Sequence, residues 1–128
     1  MKSPIRNAFS LVEVLAAVAI IGVITFLAIP NIVAVKTDAE QNLAISRAAA
    51  INMSMAAFIQ AVGRSNAITV WATKNTPQLR YETLAPFLAF APSNKTDFMP
   101  GGYDVTLPTS IASLVKVPLT GPNGTIVY

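Results

Sequence analysis

The stretch that decides the fold is FSLVEVLAAVAIIGVITFLAI, which covers residues 9–29. Seventeen of its 21 residues are apolar, and the exceptions are Ser10, Glu13, Gly22 and Thr25. As an α-helix rising about 1.5 Å per residue, the stretch is about 31 Å long, which matches a bilayer hydrocarbon core of roughly 30 Å. The sequence therefore predicts one helix that spans a membrane.

The flanks of this apolar stretch predict how it sits in the membrane. Lys2 and Arg6 precede it, and the positive-inside bias then places the N-terminus in the cytoplasm and the rest of the chain outside. A secretory signal peptide has an apolar region of about 7–15 residues followed by small residues at a cleavage site. Here the run is longer and continues to Pro30 without such a site, so a membrane anchor is the better interpretation.

The composition argues against several function classes. The 128 residues contain no Cys, which excludes disulfides and thiolate zinc sites. They contain no His, the commonest general base and metal ligand, so we expect no enzyme. Nine Lys and Arg are spread thinly along the chain and form no basic cluster, so nucleic-acid binding is not indicated. Only 12% of residues are charged, so the surface either consists largely of Ser, Thr, Asn and Gln or is partly covered by neighbours, and the second is the better account.

Glu13 is the unusual residue of the apolar stretch. An ionisable side chain at mid-membrane costs about 2.5–3.5 kcal/mol, and less near an end. Either Glu13 reaches the lipid headgroups, or it pairs with a cation inside the bilayer. A cut before Phe9 would create an α-amino group about one helical turn away. Pairing within one chain is awkward because both groups lie at the same helix end, whereas neighbouring chains offset along the helix axis pair naturally.

At this point the sequence resembles the type IV pilins and pseudopilins. The resemblance rests on AFSLVEV at Ala8 to Val14: a short basic leader, a small residue, Phe, a hydroxyl residue, two aliphatic residues and Glu at the fifth mature position. It continues through an apolar helix that contains Gly22 and ends at Pro30-Asn31-Ile32. The resemblance covers about residues 1–35, and the combination of these elements is specific.

The resemblance implies a role for each matching residue. A prepilin peptidase would cut between Ala8 and Phe9 and N-methylate the Phe9 amine, although the family usually has Gly where this chain has Ala8. Glu13 would pair with the terminal amine of an adjacent subunit during assembly. The helix would loosen between Gly22 and Pro30 in the filament, which local chemistry permits because Gly and Pro both weaken helices.

The predicted fold is α+β and pilin-like, with a long N-terminal helix packed against a small antiparallel sheet. We divide the chain into a leader at 1–8, a transmembrane and assembly helix at 9–29, an amphipathic continuation at 30–63 and a globular head at 64–128. The resemblance implies partners: further copies and related pilins in a filament, and an assembly platform in the bacterial inner membrane. The head would be periplasmic, and the filament periplasmic or extracellular.

Apolar residues beyond Pro30 recur at helical spacing, so the helix should continue to a stop at Gly63. The expected stripe is Ile32, Val35, Ala39, Leu43, Ala48, Ile51, Met55, Phe58 and Val62. Residues 66–73, around Trp71, could form a helix or a strand. Thr76 and Pro77 predict a helix start, and Pro86 should break or kink that helix near its end.

The last third of the sequence predicts three short strands. A turn at 100–102 precedes an alternating segment at 103–107. Two further segments, 114–119 and 125–128, flank a Gly-Pro-Asn-Gly turn at 121–124. The expected result is a three-stranded antiparallel sheet laid on the long helix.

An oxygen-rich segment at 93–97 is the weak candidate for a metal site. Asp97, together with Asp104, could bind calcium. The spacing matches no defined calcium motif, so a solvated loop is the favoured interpretation, and no cofactor is expected.

Three functions remain open at this level. The favoured one is a pseudopilin of a type II secretion-like system, because the small head lacks a cysteine pair to staple a C-terminal loop. The second is a true type IV pilin, major or minor, for adhesion, motility or DNA uptake. A third, from another class, is a signal-anchored periplasmic enzyme or binding module, which predicts a cleft with convergent polar residues.

Overall fold

The computed structural model describes residues 8–128, so the predicted leader, apart from Ala8, lies outside the described residues. The chain is α+β and divides into two compact units, Met1–Asp38 and Ala39–Tyr128. The helices are α1 (Leu11–Val62), α2 (Arg64–Ala72), α3 (Pro77–Leu84), a 3-10 turn (Ala85–Phe87) and α4 (Lys95–Phe98). The strands are β1 (Asp104–Val105), β2 (Leu119–Gly121) and β3 (Gly124–Ile126).

Helix α1 has two parts with different surroundings, which we call the apolar half (residues 11–35) and the packed half (residues 39–62). The apolar half has no buried residue, whereas the packed half buries one stripe. That stripe is Ala44, Ala48, Ile51, Ser54, Met55 and Phe58. Steps of three and four residues place these side chains on one face of the helix.

The stripe predicted from sequence is correct between residues 48 and 58 and wrong at both ends. Ala48, Ile51, Met55 and Phe58 are buried. Leu43 is 43% exposed, and Ala44 is fully buried in its place, one residue or about 100° further round the helix. The other predicted members, Ile32, Val35, Ala39 and Val62, are exposed.

Gly63 separates α1 from α2, as the sequence predicts. Its φ of 81° is in the left-handed region, which costs Gly little and an L side chain much more. The Ala67 N–H donates to the Gly63 carbonyl at 2.8 Å, so the same residue starts α2. The open choice for residues 66–73 is thereby settled as helix, with Trp71 buried on it.

The start of α3 also agrees with the sequence. The Thr76 hydroxyl accepts a hydrogen bond from the Leu79 N–H at 3.2 Å, and Pro77 occupies the first helical turn. The helix gives way to the 3-10 turn that contains Pro86, because proline cannot donate the next helical hydrogen bond.

The sheet has three antiparallel strands, as predicted, but the strands are shorter than expected, and the structure gives their order as β1-β2-β3. Val105 pairs with Leu119, and Leu119 pairs with Ile126. The predicted strand at 114–119 is wrong except for Leu119. Pro118 has no N–H to donate, and the Val117 N–H donates to the Asn52 side chain of α1 at 2.9 Å instead.

Aromatic side chains close the core between the packed half of α1 and the head. The centre of the Phe58 ring lies 6.2 Å from the centre of the Trp71 ring and 6.0 Å from that of the Phe87 ring. The Trp71 indole N–H donates to the Pro108 carbonyl at 2.9 Å. Buried aromatic groups with satisfied polar atoms stabilise a core of this size, and they fix how the head sits on residues 39–62.

Candidate functional site

The apolar half of α1 is the first functional candidate. Its mean hydropathy reaches 2.7 over 18 residues, and it is long and apolar enough to cross a membrane. Every large hydrophobic side chain from Leu11 to Val35 is between 47% and 76% exposed. Residues 8–128 therefore leave that surface exposed, and a helix that is apolar on all sides is stabilised by lipid or other apolar neighbours.

Ser10 and Glu13 form a reciprocal pair at the start of α1. The Ser10 N–H donates to Glu13 Oε2 at 3.1 Å, and the Glu13 N–H donates to Ser10 Oγ at 3.2 Å. This is a capping box, in which two N–H groups without helical partners are satisfied by the two side chains. The sequence reasoning missed Ser10, although the Ser-x-x-Glu spacing before an apolar run is its signal.

The capping box determines where the Glu13 carboxylate points. The carboxylate turns back toward the start of α1, and its Oε2 lies 3.1 Å from the Ser10 nitrogen. Bond lengths keep consecutive backbone nitrogens within about 3.7 Å, so the Phe9 nitrogen lies within about 7 Å of this carboxylate. The pairing of Glu13 with a terminal amine, within one chain or between neighbours, stays a prediction.

The positions predicted to loosen in a filament are helical here. α1 is continuous through Gly22 and Pro30. Between them, the Thr25 hydroxyl donates to the Ile21 carbonyl at 2.7 Å, so the polar group of Thr25 is satisfied within the helix. The loosening concerns the assembled state and stays a prediction.

The calcium candidates are engaged in contacts of the head. Asp104 Oδ1 lies 2.5 Å from the Lys95 Nζ, and the Lys95 side chain is only 11% exposed. An ammonium group at the oxygen that a cation would need opposes calcium binding there. Asp97 Oδ2 accepts from Asn94 Nδ2 at 3.3 Å. Within residues 8–128 no three acidic or metal-binding side chains come together.

The segment at 93–97, expected to be a solvated loop, is correct in exposure for Ser93, Asn94, Thr96 and Asp97 but is only partly a loop. Residues 95–98 form α4, and Lys95 and Phe98 are buried. The Gln78 side chain of α3 accepts from the Lys95 N–H at 3.0 Å. Contacts with α3 and β1 therefore order this segment, and composition alone does not reveal them.

A groove in the head lies between α1 near Arg47 and residues 88–92. The Arg47 guanidinium donates to the Phe98 carbonyl and lies 5.4 Å from the centre of the Phe98 ring. Nearby, Tyr81 is fully buried, and its hydroxyl donates to the Pro92 carbonyl at 2.8 Å. Burial raises the pKa of Tyr81, with Arg47 opposing and Asp97 adding to the shift. These polar groups hold the head together.

The head also exposes apolar side chains. Phe90 is fully exposed, and its φ of 53° is the one left-handed angle of a non-glycine residue among residues 8–128. Val115 and Val127 are 67% and 95% exposed. A bulky residue in the left-handed region is uncommon and strained, so the turn holds Phe90 outward against a conformational preference.

Comparisons with known proteins return no match for this chain. No family model matches it, and no curated protein or solved structure is significantly similar to it.

Proposed function

We propose that this chain is a structural subunit of a type IV pilus-like filament, specifically a pseudopilin of a type II secretion-like system, and that it has no catalytic role. The observation that carries the proposal is the uncovered apolar half of α1 with a carboxylate at its start. A simple anchor needs only the apolar surface. Glu13 gives the segment a polar group that a neighbouring subunit can use.

The proposed pathway begins with insertion of α1 into the inner membrane. A prepilin peptidase cuts between Ala8 and Phe9, and the new Phe9 amine is N-methylated. Subunits then leave the bilayer for a helical assembly, in which copies and related pilins replace lipid around the apolar half of α1. Burial of apolar surface between helices drives this exchange once the filament leaves the membrane.

The head supports the same role in two ways. Its charged side chains at the groove and at α4 are used in internal contacts, which does not favour a periplasmic enzyme or binding module. It exposes Phe90, Val115 and Val127, which are apolar side chains that packed copies would cover. These features fit a head that lies among other heads.

The decisive experiment is mass spectrometry of the membrane-resident protein together with filament yield. We expect a chain that begins at an N-methylated Phe9. Intact Met1, or a cut far beyond Phe9, would contradict the processing step. Glu13→Ala should insert normally but lower filament yield by about tenfold or more, because a terminal ammonium then lacks its partner in an apolar surrounding. Equal yield from mutant and wild type would remove the role of Glu13.

A further inference from the structure

One side of the head carries an aromatic side chain that residues 8–128 leave uncovered. Phe90 is fully exposed, and its φ of 53° is in the left-handed region. An exposed phenyl ring forgoes the free energy of burial, and a left-handed φ strains a bulky residue. Strain of this kind persists only where the surrounding structure imposes it, and it is common at binding surfaces. We call the Phe90 side chain the knob.

A second feature of the head is an apolar cavity, which we call the socket. It has a volume of about 350 Å³ and lies between residues 106–110 and residues 115–118. Val115 on its wall is 67% exposed. The Thr106 N–H donates to the Pro118 carbonyl at 3.1 Å, which fixes the two segments to each other. The volume lies within the roughly 300–1,000 Å³ of small-molecule clefts, so the socket is large enough for a phenyl ring.

The knob and the socket lie on opposite sides of the packed half of α1. Phe90 borders the groove that Ala50 lines. The socket is attached to Asn52, whose side chain accepts from the Val117 N–H at 2.9 Å. Each residue advances a helix by about 100°, so Ala50 and Asn52 lie about 100° to either side of the buried Ile51. They differ in height by only about 3 Å.

The exposed charges beside the knob and the socket are complementary. Asp97 lines the groove next to the knob and is exposed. The other charged residue of that groove, Arg47, is half-buried and donates to a backbone carbonyl. Lys116 is the single charged residue of segment 106–118, and it is exposed at the socket. Its Nζ lies 4.4 Å from the centre of the Tyr128 ring, which holds the ammonium group in place.

We propose that the knob of one subunit occupies the socket of the next, so that Phe90 joins neighbouring heads side to side. The occupant is a second copy because the chain carries both parts of the contact, on opposite sides of one helix. Such a contact is heterologous: it repeats from copy to copy and generates a filament when it does not close. Asp97 of one copy then faces Lys116 of the next. This inference rests on the proposed filament function and identifies the surfaces by which heads recognise each other.

Cross-linking between engineered cysteines tests the contact, because the chain contains no Cys of its own. Ala89→Cys and Thr109→Cys place exposed thiols beside the knob and on the socket wall. A short bismaleimide is applied to the processed full-length chain in membranes and in sheared fibres. The double variant should give a ladder of dimers, trimers and longer products, and each single variant should give none. Absence of a ladder from both preparations, or dimers from Ala89→Cys alone, would overturn the inference.

Truncation of the knob tests the phenyl ring itself. In the double-cysteine chain, Phe90→Ala should lower the ladder yield at least tenfold, because aromatic anchors dominate interface energies. Val70→Ala is the matched control: Val70 is an exposed apolar residue of α2 that lines neither the groove nor the socket. Phe90→Ala should keep the wild-type urea midpoint, since the ring packs against nothing in its own chain. An unchanged yield in Phe90→Ala, or an equal loss in Val70→Ala, contradicts the proposal.

Charge reversal tests which surfaces meet. Asp97→Lys or Lys116→Asp alone should lower the ladder yield about two- to fivefold, and the two together should restore it. Losses that persist when both are reversed would rule out this pairing of surfaces.

Electron microscopy of the same preparations decides the proposed function separately. Fibres without a ladder would overturn the contact and leave the filament function intact. A ladder in membranes, with no fibres in any preparation, would support the contact and contradict the filament function.

Discussion

Two of the isoleucines of helix α1 show how different the surroundings of its two halves are. Ile24, in the apolar half, is 61% exposed, and Ile51, in the packed half, is fully buried. The apolar half is apolar on all sides, whereas the packed half carries polar residues away from its stripe. The difference teaches that the chain stabilises one half of its longest helix with its own head and leaves the other half to its surroundings.

The same contrast appears in the polar groups. In the apolar half, polar side chains bond to their own helix, as Thr25 does to the Ile21 carbonyl. In the packed half, Asn52 bonds to distant parts of the chain, the Val117 N–H and the Tyr128 hydroxyl. The long-range bonds therefore attach the packed half to the head, whereas the Thr25 bond stays within α1.

Truncating each isoleucine to alanine tests most directly whether the two halves of α1 contribute differently to the stability of the head. Ile51→Ala should lower the free energy of unfolding of the head by about 2–5 kcal/mol, because it leaves a cavity in a fully packed core. Ile24→Ala, the matched control, should change it by less than about 0.5 kcal/mol. Urea unfolding in detergent, followed by Trp71 fluorescence, measures both. Equal losses would mean that the apolar half also packs against the head.

Asn52 tests whether long-range bonds hold the packed half to the head. Asn52→Ala should destabilise the head by about 1–3 kcal/mol, because the Val117 N–H and the Tyr128 hydroxyl each lose a partner. Asn42→Ala changes the same residue type on an exposed turn of α1 and should have little effect. The measurement is again urea unfolding. A loss for Asn42→Ala as large as for Asn52→Ala would point to helix propensity rather than to these bonds.

The smallest effect expected at neutral pH concerns Tyr81. Burial raises its pKa above the usual 10.0, so folding favours the protonated phenol. The associated stability is present below about pH 10 and is lost as the pH rises through the folded pKa. Tyr81→Phe should lose about 0.5–1.5 kcal/mol at pH 7, because the hydrogen bond to the Pro92 carbonyl disappears. It should also lose less stability than wild type on going to alkaline pH.

Urea unfolding of wild type and Tyr81→Phe, measured at pH 7 and above pH 10, tests the predicted pH dependence of stability. The helical signals of the two halves of α1 are compared in the same experiment. Residues 14–35 contain no titratable side chain, so their helical signal should not follow the alkaline transition of the head. An identical alkaline loss in Tyr81→Phe and wild type would assign the transition to other groups.

Local signals in the sequence predicted much of the fold. Gly63, Thr76, Pro77 and Pro86 each constrain the backbone within one or two residues of themselves, so helix ends at these positions could be predicted. The number of strands and their antiparallel arrangement followed from turns and alternation, whereas their order did not. The strand at 114–119 failed because Pro118 and the long-range bond from Val117 to Asn52 compete with sheet pairing there.

In the candidate site, too, residues with a local sequence signal could be predicted and residues that depend on long-range contacts could not. Glu13 stands out in sequence because a carboxylate in an apolar run is costly, and Ser10 could have been found from its spacing to Glu13. The buried Lys95 could not, since a charged residue in a polar segment gives no sign that it will pair with Asp104 nine residues later. The strained and exposed Phe90 is equally invisible, because its φ depends on how the chain leaves the 3-10 turn.

The sequence by itself determined the membrane-length helix, its single carboxylate and the stops that delimit the helices, because these depend on composition and on contacts within a few residues. The tertiary structure alone decided which face of α1 meets the head and which polar side chains form hydrogen bonds within the core. Those outcomes depend on close packing and hydrogen-bond geometry between atoms that are distant in sequence or free to choose among rotamers.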